Sequence, residues 1–383
     1  MSDSADSLWI SKGELQRLID LLWDRGYSVI GPQVQSSAIV YDQLRDVSQL
    51  PQGWTEVTSA GSYRLVRRSD DAWFGFNVGP HAWKRFLFPS QLTVATARQA
   101  ERLREPAEGS EEDSATVWLF ETPPPPQTSY AFLGVRACDL AAIAIQDRVF
   151  MEQAYVDPAY AALRTRALVI AVNCTQAIST CFCTSMKTGP KCEQGFDLAL
   201  TELPTGFTIE SGSARGAAIL EQLETYPASH SQQQEAAARR RQAVADIGKH
   251  LETTGLRETL LENLDHPHWA DVAQRCISCT NCTMVCPTCF CSSVDEVSDL
   301  EGVRVDRERR WDSCFNLEFS AMNGGRVRDD IRSRYRQWLT HKLATWIDQF
   351  GTSGCVGCGR CITWCPVGID LTEEVAKLRT GER

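Results

Sequence analysis

The strongest constraint on this chain is a cysteine spacing that occurs twice. Cys276-x2-Cys279-x2-Cys282-x3-Cys286-Pro287 is followed by Cys355-x2-Cys358-x2-Cys361-x3-Cys365-Pro366. Two-cluster iron–sulfur proteins use this spacing to hold a pair of [4Fe–4S] cubanes. Gaps of two residues let one tight loop present three thiolates to three corners of a cubane. The fourth cysteine lies beyond reach of that cubane, the proline turns the chain away, and the thiolate ligates the other cluster. The spacing therefore predicts one cluster on Cys276, Cys279, Cys282 and Cys365, and a second on Cys355, Cys358, Cys361 and Cys286. Structural zinc more commonly takes two ligand pairs across a long spacer, which these runs do not resemble. Small residues between the ligands (Ser278, Thr280, Asn281, Gly357, Gly359) suit close approach of backbone N–H groups to cluster sulfurs.

Sixteen of the 383 residues are cysteine. That is more than core filling needs and well below the density of disulfide-stapled scaffolds. Outside the two runs stand Cys138, Cys174, Cys181, Cys183, Cys192, Cys289, Cys291 and Cys314. Cys138 and Cys174 each follow a predicted strand, at the kind of strand end where sites gather in α/β sheets. With Cys181 and Cys183, in a loop leading to Thr188-Gly189-Pro190, they are candidate ligands of a third [4Fe–4S] cluster. Cys289, Cys291 and Cys314 form the competing set. Cys192 is expected to be a free thiol.

The remaining sequence predicts an α+β protein, a mixed α/β N-terminal domain followed by an α-helical two-cluster ferredoxin domain. Lys12–Leu22 has helical spacing of apolar residues and ends near Gly26. Short β-like runs follow at Tyr27–Ile30, Ser37–Tyr41 and Ser62–Val66. The acidic stretch Glu105–Ser114 is expected as an exposed loop, closed by the stiff Pro123–Pro126. Ala131–Val135, Leu140–Val149 and Ala167–Val172 read as strand, helix and strand. Residues 214–264 are helical in composition, and Gln232–Thr253 predicts one long exposed helix linking two domains. Asp329–Phe350, stopped by Gly351, and Leu371–Arg379 read as helices of the cluster domain. These divisions give domains at 1–213 and 265–383, joined by 214–264. Arg304–Arg336 carries nine arginines against six acidic residues, most of them expected on solvated faces.

The net charge of −10 argues against a nucleic-acid partner. No apolar stretch approaches the length of a membrane span. The N-terminus lacks the basic and apolar segments of a secretory signal, so a cytoplasmic location with reduced thiols is expected. The chain has no HExxH, no GxGxxG opening a helix, no Walker loop and no GxSxG elbow. No catalytic substrate site is therefore expected in it. His266 and His268 are expected to serve helix entry rather than ligation.

The segments GVRACDLAAI (134–143), NCTQAISTCFCTSM (173–186), GFDLALTEL (195–203), RCISCTNCTMVCPTCFC (275–291), RRWDSCF (309–315) and CVGCGRCITWCPVGID (355–370) carry a family resemblance. Together they resemble the β subunit of cytosolic sulfhydrogenases, the NAD(P)-linked group 3b [NiFe] hydrogenases. They are also similar to the A subunit of anaerobic sulfite reductase. The resemblance implies an electron-transfer subunit between a flavin subunit that handles NAD(P)H and [NiFe] hydrogenase subunits. It places flavin in a partner chain. One alternative is the same role beside a sulfite or polysulfide reductase, and another is a structural or sensing iron–sulfur protein.

Overall fold

The computed structural model describes residues 7–101 and 116–380. The expected loop Glu105–Ser114 lies outside them. The N-terminal part is built on an eight-stranded sheet. Its strand order is Tyr226–Pro227, Leu8–Ser11, Gly206–Ser211, Leu198–Leu203, Leu168–Val172, Tyr130–Val135, Ser28–Gln35 and Ala38–Gln43. Four consecutive strands, from Leu198–Leu203 to Ser28–Gln35, run parallel. Parallel strands are covered on both faces, so their sequences read as unbroken apolar runs. LVIAV at 168–172 is buried at every position.

Helix Lys12–Asp24 covers one face through Leu15, Leu18, Ile19 and Leu22. Helix Ala137–Phe150 covers the other through Leu140 and Ile143, with Trp83, Phe88 and Tyr160 packed beside it. Both strand ends that precede a cysteine, Val135 and Val172, therefore point their C-terminal ends the same way. The strands expected at Ala131–Val135 and Ala167–Val172, and the helix between them, are found within a residue or so at most boundaries. That helix begins earlier, at Ala137 rather than Leu140.

Two features depart from expectation. The helix predicted over Gln232–Thr253 spans His230–Ala245 and stops at Asp246. Its buried residues are Ala236 and Ala243, a thin stripe, and it lies against strands Leu198–Leu203 and Gly206–Ser211. Beyond it Gly248 comes close to the Ser179 carbonyl, 3.4 Å from where a Cβ would stand, so the chain lies against a loop there. Second, the stretch between the two cysteine runs is not purely helical. It contains the hairpin Ser292–Ser298 and Arg304–Trp311. The second of these strands pairs with Gln91–Glu101, making a four-stranded antiparallel sheet that joins the two halves of the sequence.

The cluster-bearing part packs helices Leu256–Glu262, His268–Arg275, Ile331–Thr340 and Leu371–Thr380 around Leu260, Trp269, Trp338, Leu339, Leu371 and Val375. Helix Ile331–Thr340 continues through a π-helical turn, His341–Thr345, into Trp346–Phe350, and Gly351 ends it with φ +68°. His268 is buried and its Nε2 lies 2.7 Å from Glu374, which ties two helices together and gives this histidine a structural role. Among the described residues, no helix is long and apolar enough to cross a membrane.

One fully buried ion pair joins the two parts. Arg360, inside the second cysteine run, lies 2.9 Å from Asp139, the residue after Cys138, and both are at most 1% exposed. Arg360 also donates to the Gly79 carbonyl at 3.3 Å. Removing one partner leaves the other charge buried and uncompensated. Asp139→Ala is expected to cost about 3–5 kcal/mol, read as a lower urea midpoint with an unchanged slope.

Candidate iron–sulfur centres

Sixteen cysteines and no disulfide leave every thiol available. Twelve of them line three cavities. The first cavity gathers Cys276, Cys279, Cys282 and Cys365, walled by Phe315, Tyr335 and Trp338. Cys276 follows directly on helix His268–Arg275. Ser278 and Thr280 then take φ +52° and +68°, which curls the loop so that Cys276, Cys279 and Cys282 line one cavity. Ser278 N–H donates to Cys276 Sγ at 3.5 Å, and Ile369 N–H to Cys365 Sγ at 3.3 Å. Cys279 is the one exposed cysteine of the sixteen.

The second cavity gathers Cys355, Cys358, Cys361 and, from the other run, Cys286. Here glycine is required. Gly357 and Gly359 have φ +64° and +75°, and a Cβ on either would stand 2.6 Å from the Phe182 carbonyl or 2.5 Å from the Thr180 carbonyl. The run thus lies backbone to backbone against the 180–183 loop. Phe182 N–H donates to the Gly357 carbonyl at 2.9 Å, and Thr188 Oγ1 to the Val356 carbonyl at 2.6 Å. Gly357 N–H donates to Cys355 Sγ at 3.5 Å.

The third cavity lies on the other side of that loop and gathers Cys138, Cys174, Cys181 and Cys183. Asn77, Arg136, Pro190 and Ile247 complete its wall. Cys138 and Cys174 reach it from the ends of adjacent parallel strands, as strand-end residues do in α/β sheets.

The competing set is placed elsewhere. Cys289, Cys291 and Cys314 lie at the base of the Ser292–Trp311 hairpin, where Asp312 N–H donates to the Cys291 carbonyl at 2.9 Å. None of them lines the third cavity. Cys289 hydrogen-bonds Cys286, and Cys291 hydrogen-bonds Cys314, which brings Cys291 down to about 7. Cys192 is buried, lines none of the three cavities, and its N–H donates to Asn173 Oδ1 at 2.7 Å.

The donor sets fit iron–sulfur clusters on two grounds. Burial, with neighbouring thiolates, pushes several of these thiols up, Cys183 and Cys355 to about 12, whereas a hydrogen bond with Cys289 holds Cys286 down. Four such thiols facing one space become thiolates together only when a strongly cationic group neutralises them, because ligation requires deprotonation. Size is the second ground. Zinc–sulfur bonds of about 2.3 Å draw four thiolates tightly together. Among the described residues, no three His, Cys, Asp or Glu side chains converge so as to hold a single ion. Cavities that each gather four or more cysteines suit a multi-iron group instead.

Sequence reasoning missed the buried charges around these cavities. Arg360 and Lys342 both line the second, and Arg136 the third. Arg136 and Arg360 stand one or two places from candidate ligands, so position alone could have flagged them. Lys342 is remote in sequence from every cysteine run and carries no such signal.

Fold and site together define an iron–sulfur protein of the dicluster class. Residues 275–369 match the family described as 4Fe-4S dicluster domain. Sulfhydrogenase 2 subunit beta of Pyrococcus furiosus is 30% identical over 260 residues, covering 66% of this chain and 75% of that protein. The chain belongs to the sulfhydrogenase β-subunit family. No solved structure matches it.

The glycine contacts are open to test. Gly359→Ala places a Cβ 2.5 Å from the Thr180 carbonyl, so it is expected to lift the 180–183 loop from the second run. Iron and sulfide should then fall together, by about half or more of the wild-type content. Full content in this variant would show that the close approach is dispensable.

Proposed function

We propose that this chain relays single electrons through three [4Fe–4S] clusters, between a flavin subunit that handles NAD(P)H and [NiFe] hydrogenase subunits, in a soluble cytoplasmic complex. The first cluster would be held by Cys276, Cys279, Cys282 and Cys365. Cys286, Cys355, Cys358 and Cys361 would hold the second, and Cys138, Cys174, Cys181 and Cys183 the third. When bound, such clusters supply one-electron chemistry over a wide range of potentials.

The observation that carries the reading is continuity. Cys361 lines both the first and second cavities. Between the second and third only the 180–183 loop intervenes, with Cys181 Sγ 3.8 Å from the Cys358 carbonyl. The chain's own residues hold the thiolates, exclude water with Phe182, Tyr335 and Trp338, and offer N–H groups to sulfur. No proton transfer to a substrate is assigned to any of them. The family name of the relative supports a hydrogenase rather than a sulfite reductase as the terminal enzyme.

Two measurements test this. Anaerobic chain is expected to hold about twelve irons, and Cys174→Ser with Cys183→Ser to lose about four of them. About eight irons, unchanged in the double variant, would remove the third cluster. Separately, hydrogen-dependent NAD(P) reduction by the assembled complex should collapse when this chain is omitted. Undiminished electron transfer between the remaining subunits would refute the relay.

A further inference from the structure

Lys342 sits in the π-helical turn His341–Thr345. Such turns insert one extra residue into a helix, re-aim its side chains, and recur at functional sites. This one aims Lys342 inward, where it is 2% exposed. Its Nζ donates to Cys286 Sγ at 3.3 Å, to Thr288 Oγ1 at 3.2 Å and to the Gly354 carbonyl at 3.1 Å. Thr288 Oγ1 in turn lies 3.1 Å from Cys286 Sγ and donates to the Gly354 carbonyl at 2.7 Å. Among the described residues, no carboxylate forms a salt bridge with Lys342. A buried ammonium without a carboxylate is costly unless other negative charge meets it. Here that charge can come only from the thiolates and whatever they bind.

The other buried cations near the cavities are placed differently, and Lys84, also without a carboxylate partner among the described residues, donates to the Cys289 carbonyl at 2.9 Å rather than to a sulfur. Arg360 is paired with Asp139, which cancels its charge locally. Arg136 donates to the carbonyls of Phe74 and Phe76. Arg334, beside the first cavity, donates to the carbonyls of Arg328 and Asp329 and reaches Ser278 Oγ at 3.5 Å. Among the described residues, the second cavity is the one whose candidate ligand sulfur accepts a hydrogen bond from a buried cation that has no carboxylate partner.

We propose that Lys342 raises the reduction potential of the centre held by Cys286, Cys355, Cys358 and Cys361 above those of its two neighbours, so that electrons collect at the middle of the relay. Reduction adds one electron to that centre, taken from a neighbouring centre, and Lys342 keeps its proton throughout. A fixed positive charge and an N–H···S bond both favour the more negative, reduced state. Lys342 is a positioning residue for charge and makes no bond to iron.

The inference rests on the relay reading, and the two fail separately. EPR-monitored redox titration of the full chain, loaded anaerobically, reads the potential of each centre. In wild-type chain the second centre is expected to reduce first as the potential is lowered. Lys342→Met should move that one transition to lower potential and leave the others, while Lys342→Arg should restore most of the wild-type value. An unmoved transition in Lys342→Met, or an equal shift of all transitions, overturns the inference while the relay stands. Wild-type chain with no reducible centre would sink the relay reading and this inference with it. Should Lys342→Met lose iron, Thr288→Val decides. It keeps the charge but removes a partner that holds the ammonium, so a smaller shift of the same sign is expected and no shift overturns the inference.

Discussion

The structure depends on one close approach, the backbone of the 180–183 loop lying on the backbone of the second cysteine run. Any side chain at Gly357 or Gly359 would occupy the space of the Phe182 or Thr180 carbonyl. With both positions bare, two peptide segments pack at hydrogen-bonding distance and Phe182 enters the core of the helical part. The α/β sheet then delivers Cys138 and Cys174 to one side of the loop, and the two runs deliver their thiols to the other. The buried Asp139–Arg360 pair and the antiparallel four-stranded sheet reinforce the same joint. A chain without this contact would hold two unconnected sets of cysteines.

Much of this was legible because it is local. The two cysteine runs are encoded by spacing within a dozen residues, and tight loops with Ser278, Thr280, Gly357 and Gly359 in left-handed conformations are what such spacing demands. The apolar runs at 131–135 and 167–172 read as strands about a helix; they pair parallel, and their cysteines lie past the strand ends. Cys138, Cys174, Cys181 and Cys183 share one cavity, whereas Cys289, Cys291 and Cys314 lie at another place in the fold.

What stayed hidden is set by distant partners. Nothing within Arg304–Trp311 announces that it will pair with Gln91–Glu101, since its alternating charges read equally well as a solvated helix face. The helix ending at Ala245 lacks a proline or glycine at its stop, and it ends where the chain turns to bring Ile247 over the third cavity. Lys342 lies within the helix expected over Asp329–Phe350, with no cysteine near it in sequence to single it out. Only the π-helical turn, a product of how that helix packs, turned it toward Cys286.

The single exposed cysteine gives this protein a polarity that its fold alone does not. Cys279 is exposed, whereas the other fifteen cysteines are buried or partly buried. Dissolved oxidants and docking molecules alike have their readiest access at that corner, so the place best suited to meeting another redox protein is also where corrosion by oxygen would begin. A complex that seats a partner there gains contact and a gasket in the same surface.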